Sequence, residues 1–194
     1  MQKTLAYHSI GENNSRELGS ELYSVPEKNF REQMKYISSQ NVIITFDDGL
    51  VDNYTIAYPI LREFKLSAYF FVIPPLVGTP GYMDWLKIKL LKDAGMQVGS
   101  HGMTHRILTG LSEAELEFEF KESKKIIEDK LGASIDHISI PRGFYNQKII
   151  NKAREAGYGQ VFDASRISVK ANWSTDKLID VLNHGYSFGD RSRF

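Results

Sequence analysis

The sequence predicts an α/β fold whose parallel strands curl into a distorted, incomplete (β/α) barrel. Three observations lead there. Short apolar runs rich in β-branched and aromatic residues alternate with amphipathic helical stretches at least five times, the pattern of a parallel sheet covered by helices. Each buried run ends in polar residues, at His8, Asp47-Asp48, His101, Pro141-Arg142 and Asp163, and parallel α/β folds build their sites at the C-terminal ends of strands. The repeats are fewer than a closed eight-fold barrel needs, so an incomplete barrel fits better. At 194 residues and 42% apolar composition, one domain spanning 1–194 is expected.

In chain order, Thr4 to Ile10 reads as a first strand and Gly11 to Gly19 as a polar loop. Ser24-Val25-Pro26-Glu27 predicts a helix start, with Ser24 as N-cap, Pro26 in the first turn and Glu27 at capping-box spacing. Phe30, Met34 and Ile37 give that helix an apolar face. Val42 to Thr45 is a buried strand. Asp52-Asn53 opens a second helix with Ile56, Ile60, Leu61 and Phe64 inward and Pro59 as a kink. Ser67 to Ile73 is a strand, followed by a Gly/Pro-rich loop. Asp84 caps a helix that Gly95 closes, and Met96 to Ser100 is a strand. Leu111-Ser112 caps a long charged helix reaching about Leu131, whose Glu/Lys pairs are ordinary solvated pairing. Ile135 to Ile140 is a strand, Asn146 to Ala156 a helix ended by Gly157, and Gly159 to Phe162 a strand. Arg166 to Val169 forms another strand, Thr175 caps a last helix through Leu182, and the final ten residues fray.

Composition removes several function classes. The 24 basic and 24 acidic side chains cancel, so no broad basic face is implied and nucleic acid is not an expected partner. With no cysteine, disulfides, thiolate metal sites and cysteine nucleophiles are excluded. The first residues lack the apolar run of a signal peptide, and no stretch reaches the ~18 apolar residues of a membrane span. A cytoplasmic location is therefore expected. Oligomeric state is left open.

The chemistry concentrates in two places. Val42-Ile43-Ile44-Thr45-Phe46 runs into Asp47-Asp48-Gly49. Two adjacent carboxylates repel, and one pKa rises unless a cation or donor compensates. Strand side chains alternate, so the two acids point differently and can divide the work, one holding a metal and the other acting as base. The dipeptide alone equally fits a strand that ends in an Asp-Gly turn. Downstream, His101 and His105 stand four residues apart directly after a strand. On a helix, or in a loop making one turn, both imidazoles share a face. Alone such a pair is commonly a surface feature. With one carboxylate added it becomes a His-His-Asp set with positions left for water and substrate.

Thr45-Phe46-Asp47-Asp48-Gly49 and Ser100-His101-Gly102-Met103-Thr104-His105 closely resemble the first two motifs of the polysaccharide deacetylase family of carbohydrate esterases. The resemblance runs from about Leu5 to Gly157. It implies a distorted (β/α) barrel of about seven strands that hydrolyses N-acetyl or O-acetyl groups on sugars with zinc or a similar divalent ion. It also implies Asp48, His101 and His105 as metal ligands and Asp47 as general base. Two departures stand out. Where the family's third motif often carries Arg two residues before its Pro, this chain has Ser139, in Ser139-Ile140-Pro141-Arg142-Gly143. The family's late Leu-x-His, source of a general acid, has only Leu182-Asn183-His184 to match it. Tyr7-His8-Ser9 resembles instead the start of the poly-N-acetylglucosamine deacetylase branch, so His8 is preferred to His184 as the acid. The loop of Pro141, Arg142, Gly143 and Tyr145 is expected to bind substrate, a backbone N–H there meeting the oxyanion. Tyr54, Tyr145 and Trp85 are candidates to stack on a sugar, with core packing the better reading of Trp85. The substrate expected is an acetylated carbohydrate. The rival functions are a metal-dependent hydrolase of a non-sugar amide and a sugar-binding descendant with a decayed site.

Overall fold

A computed structural model of the chain describes residues 2–12 and 19–185. Most of the expected frayed tail, and part of the first polar loop, lie outside the described residues. Seven parallel strands form one sheet in the order β8-β7-β6-β5-β4-β1-β9. These are β1 (Lys3–Tyr7), β4 (Val42–Phe46), β5 (Tyr69–Val72), β6 (Gln97–Ser100), β7 (His137–Ser139), β8 (Gln160–Phe162) and β9 (Ile167–Ser168). Helices α1 (Glu27–Ile37), α2 (Tyr58–Glu63), α3 (Trp85–Asp93), α4 (Glu113–Glu117), α5 (Ser123–Leu131), α6 (Gln147–Glu155) and α7 (Thr175–His184) complete an incomplete (β/α) barrel, as the sequence predicts. None is long and apolar enough to cross a membrane.

The alternation of strand side chains sorts the aromatics into two layers. Tyr7, Phe46 and Phe70 stack on one face with Phe30 of α1 against them, the Phe46 and Phe70 rings nearly parallel with centroids 4.9 Å apart. Tyr69, Phe71 and Phe162 meet on the opposite face. Phe71 pairs with Gly99 in the next strand. A Cβ at Gly99 would stand 2.6 Å from the His137 carbonyl and 2.7 Å from the Phe71 ring, so any side chain here forces the strands to shift.

The first strand is not continuous. β1 stops at Tyr7, and after His8 the short β2 (Ser9–Ile10) leaves the main sheet to pair with β3 (Ser24–Val25). The Ser24 capping box is therefore not formed. Ser24 Oγ donates to the Gly11 carbonyl at 2.8 Å, and Pro26 stands before α1 with no side-chain cap. The physical reason is that a residue preceding proline is steered toward extended backbone, which suits Val25 to a strand. The other caps fall close to expectation. Asp84 accepts from Lys87 N–H and Asn146 from Ile149 N–H, while Ser174 rather than Thr175 caps α7.

Two helices contain a π-helical turn. One covers Asn53–Ala57 ahead of Pro59, and the Tyr58 amide reaches back to the Asn53 carbonyl. The proline lacks the N–H that a regular turn needs there. The other, Phe118–Glu122, joins α4 to α5. Both deliver a buried polar side chain, Asn53 and Glu119, toward the sheet's C-terminal end.

Candidate active site

The register brings the strand ends level. Tyr7 pairs with Phe46, Val72 with Ser100 and Ser100 with Ile138, so the residues just beyond these strands share one rim. Asp47 and Asp48 follow β4, and a left-handed backbone at Asp48 (φ 72°) turns its carboxylate away from its neighbour's path. His101 follows β6, its amide held by the Val72 carbonyl at 2.8 Å. The segment to His105 is a loop, and His105 itself is left-handed at φ 56°. Such conformations cost non-glycine residues about 1 kcal/mol or more and gather at functional sites.

Asp48, His101 and His105 converge, one ligand atom from each lying within 4.8 Å of the others. Asp48 Oδ1 is 3.5 Å from His101 Nε2 and 3.3 Å from His105 Nε2. It is buried and accepts no hydrogen bond among the described residues. His101 Nδ1 faces the Ser139 carbonyl at 2.9 Å. A carbonyl only accepts, so Nδ1 carries the proton and Nε2 points a lone pair at Asp48. Burial pushes the His101 pKa down to about 4, which leaves the ring neutral at pH 7. A buried carboxylate oxygen met by the His101 lone pair, with the His105 ring beside it, calls for positive charge. A divalent ion in this gap would satisfy it, and a set of one carboxylate and two imidazoles is one that zinc accepts.

Asp47 has different company. Arg166 Nη1 and Nη2 each donate to it at 2.8 Å, and the same guanidinium donates to Thr45 Oγ1 at 3.0 Å and Ser139 Oγ at 2.7 Å. Burial works to raise the Asp47 pKa, but the Arg166 charge and hydrogen bonds override it and hold the carboxyl well below the usual range. Asp47 Oδ2 lies 3.9 Å from His101 Nε2, so its carboxylate borders the three-residue cluster.

Arg166 was not among the residues singled out from the sequence. It belongs to the segment crossing from β8 at one sheet edge to β9 at the other, and that crossing brings it over Phe71 in the barrel interior. The usable signals were the need of paired acids for a cation and the missing Arg at Ser139. The guanidinium now lies against the Ser139 hydroxyl.

The remaining candidates separate by position. His8 leaves β1 beside the strand that bears Asp47, close enough for its charge to act on that carboxylate. Its ring lies 5.1 Å from Tyr23, and its Nδ1 is buried with no partner among the described residues. Asn53 Nδ2 holds the His8 carbonyl at 2.7 Å. Pro141 to Tyr145 follow β7 on the same rim, with Arg142 left-handed at φ 60° and the Tyr145 phenol bonded to Asp163. Tyr54 stacks on Tyr58, and Trp85 packs against the core. His184 stands apart from all of these. It is 77% exposed in the last turn of α7 and pairs with Asp180 at 3.0 Å. Lys3, at the start of β1, donates to the Leu182 carbonyl, so this end of α7 lies at the N-terminal end of the sheet, opposite the cluster. A helix antiparallel to its strand ends there by geometry.

Comparison with known proteins points to one family. A sequence model described as polysaccharide deacetylase matches residues 35–161. YxkH of Bacillus subtilis (strain 168), provisionally named a polysaccharide deacetylase, is 30% identical over 177 residues, covering 79% of this chain and 61% of its own. The peptidoglycan-N-acetylglucosamine deacetylase of Bacillus cereus is 28% identical over 144 residues, covering 74% and 65% respectively. The chain thus spans a little under two thirds of the length of these curated relatives. Among solved structures, the Streptococcus pyogenes deacetylase PplD superposes with a TM-score of 0.78 at 24% identity, covering 92% of this chain and 96% of that one. The family model matches well over half of the chain and includes the strand ends that carry Asp47, Asp48, His101 and His105, and on that ground this chain belongs to the polysaccharide deacetylase family.

Proposed function

We propose that this chain is a metal-dependent hydrolase that removes acetyl groups from N-acetylated sugars, with zinc as its ion and Asp47 as general base. The observation that carries the reading is the buried, unpartnered Asp48 Oδ1 facing two imidazole nitrogens. Asp48, His101 and His105 would hold the ion. When bound it supplies positive charge to the acetyl oxygen and acidifies water toward a pKa of ~7.

The chain's own residues do the rest. Asp47 accepts the proton of the attacking water on a carboxylate oxygen that Arg166 keeps ionised. A carboxylate held this low is a weak base, and it serves because the water it deprotonates is acidified. Each Asp47 oxygen keeps a second lone pair for this while bonded to Arg166. The Gly143 amide is committed to the Ile140 carbonyl at 3.0 Å. The amides of Phe144 and Tyr145 make no hydrogen bond to the described residues and would serve the developing oxyanion. His8 would protonate the leaving amine, which departs poorly without a proton. The exposed faces of Phe144 and Tyr145 on this rim suit an extended sugar chain.

The test is acetate release from N-acetylglucosamine oligomers by the metal-free protein, with and without added zinc. Activity is expected with zinc and absent after chelation. Turnover of simple amides but no oligomer would reassign the substrate. Zinc uptake without turnover of either would leave a binding protein.

A further inference from the structure

The loop from His101 to His105 carries an imidazole at each end but has no helix or ladder of its own. Side chains hold all three amides that follow His101. The Gly102 amide donates to Ser100 Oγ at 3.0 Å. The Met103 and Thr104 amides both donate to Glu119 Oε2, at 2.6 and 3.1 Å, and Thr104 Oγ1 donates to Glu119 Oε1.

Glu119 is fully buried, and no Lys or Arg pairs with it among the described residues. A buried carboxylate without a cation is costly unless several donors surround it. Here the donors are the loop itself. Glu119 stands in the π-helical turn between α4 and α5, a rare geometry often found at functional sites. Within this turn Glu119 and Phe120 are both buried although adjacent, so the core and the loop are served by neighbouring residues. Its carboxylate presses on the loop backbone. A Cβ at Gly102 would stand 2.8 Å from Glu119 Oε2, at a position already left-handed at φ 74°. The strained backbone of His105 begins one residue after the last amide that Glu119 holds.

We propose that Glu119 is the positioning residue of the ligand loop, a buried carboxylate that fixes residues 102–104 so that His101 and His105 face Asp48 before any ion arrives. The proposal rests on the metal-site reading above and extends it to a residue that touches neither ion nor substrate. Partners one step behind metal ligands commonly govern metal affinity by about 10–100-fold. Glu119 acts on two ligands at once by holding the backbone between them.

The test uses the full chain, metal-free, with two readouts: zinc affinity by competition with a chromophoric chelator, and hydrogen exchange at the Met103 and Thr104 amides. Glu119→Gln keeps the shape but gives up an acceptor oxygen and the charge. It is expected to weaken zinc binding about 10–100-fold and to speed exchange at those two amides. Thr104→Val removes one donor and leaves Glu119 in place. It should shift affinity in the same direction by less, and it carries the test if Glu119→Gln does not fold. A variant that melts earlier but keeps wild-type zinc affinity and exchange would make Glu119 a packing residue and overturn the proposal. A wild type that takes up no zinc removes the metal-site reading instead, and exchange then decides alone, faster exchange upholding the positioning role and unchanged exchange ending it.

Discussion

Asp47 and Asp48 are neighbours on the chain but answer to different partners. Asp47 continues the strand direction into the Arg166 guanidinium, while left-handed Asp48 turns toward the two imidazoles. Asp47→Asn should cut deacetylation by roughly 10²-fold or more while zinc affinity stays near wild type; parallel loss of both would mean that the two acids have exchanged roles. Arg166→Ser should lower kcat by about 10–100-fold through loss of the bidentate hold on Asp47. Because the guanidinium already touches Ser139 Oγ, adding Ser139→Arg to that variant should recover part of the loss. No recovery would show that the arginine's strand of origin matters as well as its endpoint. For the acid, His8→Ala should slow N-acetyl sugar hydrolysis by about 10²–10⁴-fold, with a much smaller effect on an activated aryl acetate. His184→Ala, remote and exposed, should leave both rates unchanged. The opposite pattern in a rate assay would move the acid to the C-terminal helix.

At the level of elements, glycine 99 shows how closely adjacent strands approach beneath the site. Gly99→Ala adds one methyl group against a carbonyl and an aromatic ring, and overpacking of this kind costs about 1–3 kcal/mol. A denaturant midpoint unchanged by that substitution would mean that β6 and β7 yield more than this contact implies. The same elements show what the chain discloses before folding. Strands ending in His8, Asp47-Asp48 and His101 were readable because apolar runs stop at polar residues, and a parallel sheet must bring those ends to one side. Asp84 and Asn146 were readable as caps because the signal is local. Ser24 misled because its spacing to Glu27 fits a capping box equally well, and the choice was made by pairing with Ser9, a long-range event. Arg166 and Glu119 were hidden for the same reason. One depends on a crossing between the two edges of the sheet. The other depends on a π-helical turn that shifts the apolar periodicity by one residue, so Glu119 looked like one more solvated acid on a charged helix.

On the scale of the whole molecule, the sheet is open between β8 and β9, and Arg166 ties this seam to the site. Carried just before β9, its side chain bonds to the strand end of β4 and to Ser139 of β7. Closure of the fold and assembly of the site are therefore coupled, and acid should undo them together. His101 is the group to follow in the metal-free protein. Its pKa falls from about 6.5 in the unfolded chain to about 4 when folded, because burial disfavours the imidazolium. Between those values the unfolded state binds the extra proton, so stability rises with pH across the window. The contribution is complete above about pH 6.5 and is lost as the pH falls through about 4. A shift of that size corresponds to about 3 kcal/mol, or a fall of roughly 6–12 °C in unfolding temperature for a chain this long. On the proposed reading zinc would bind the folded state, and it should then raise the midpoint at pH 7 by an amount that grows with its concentration. Acidification should erase that gain as protons compete for the ligands. Calorimetry of the metal-free protein from pH 7 to pH 4, repeated on His101→Asn, checks the assignment. The variant should be less stable at pH 7 and show a shallower slope in this window. An equal slope in both proteins would place the acid sensitivity elsewhere in the molecule.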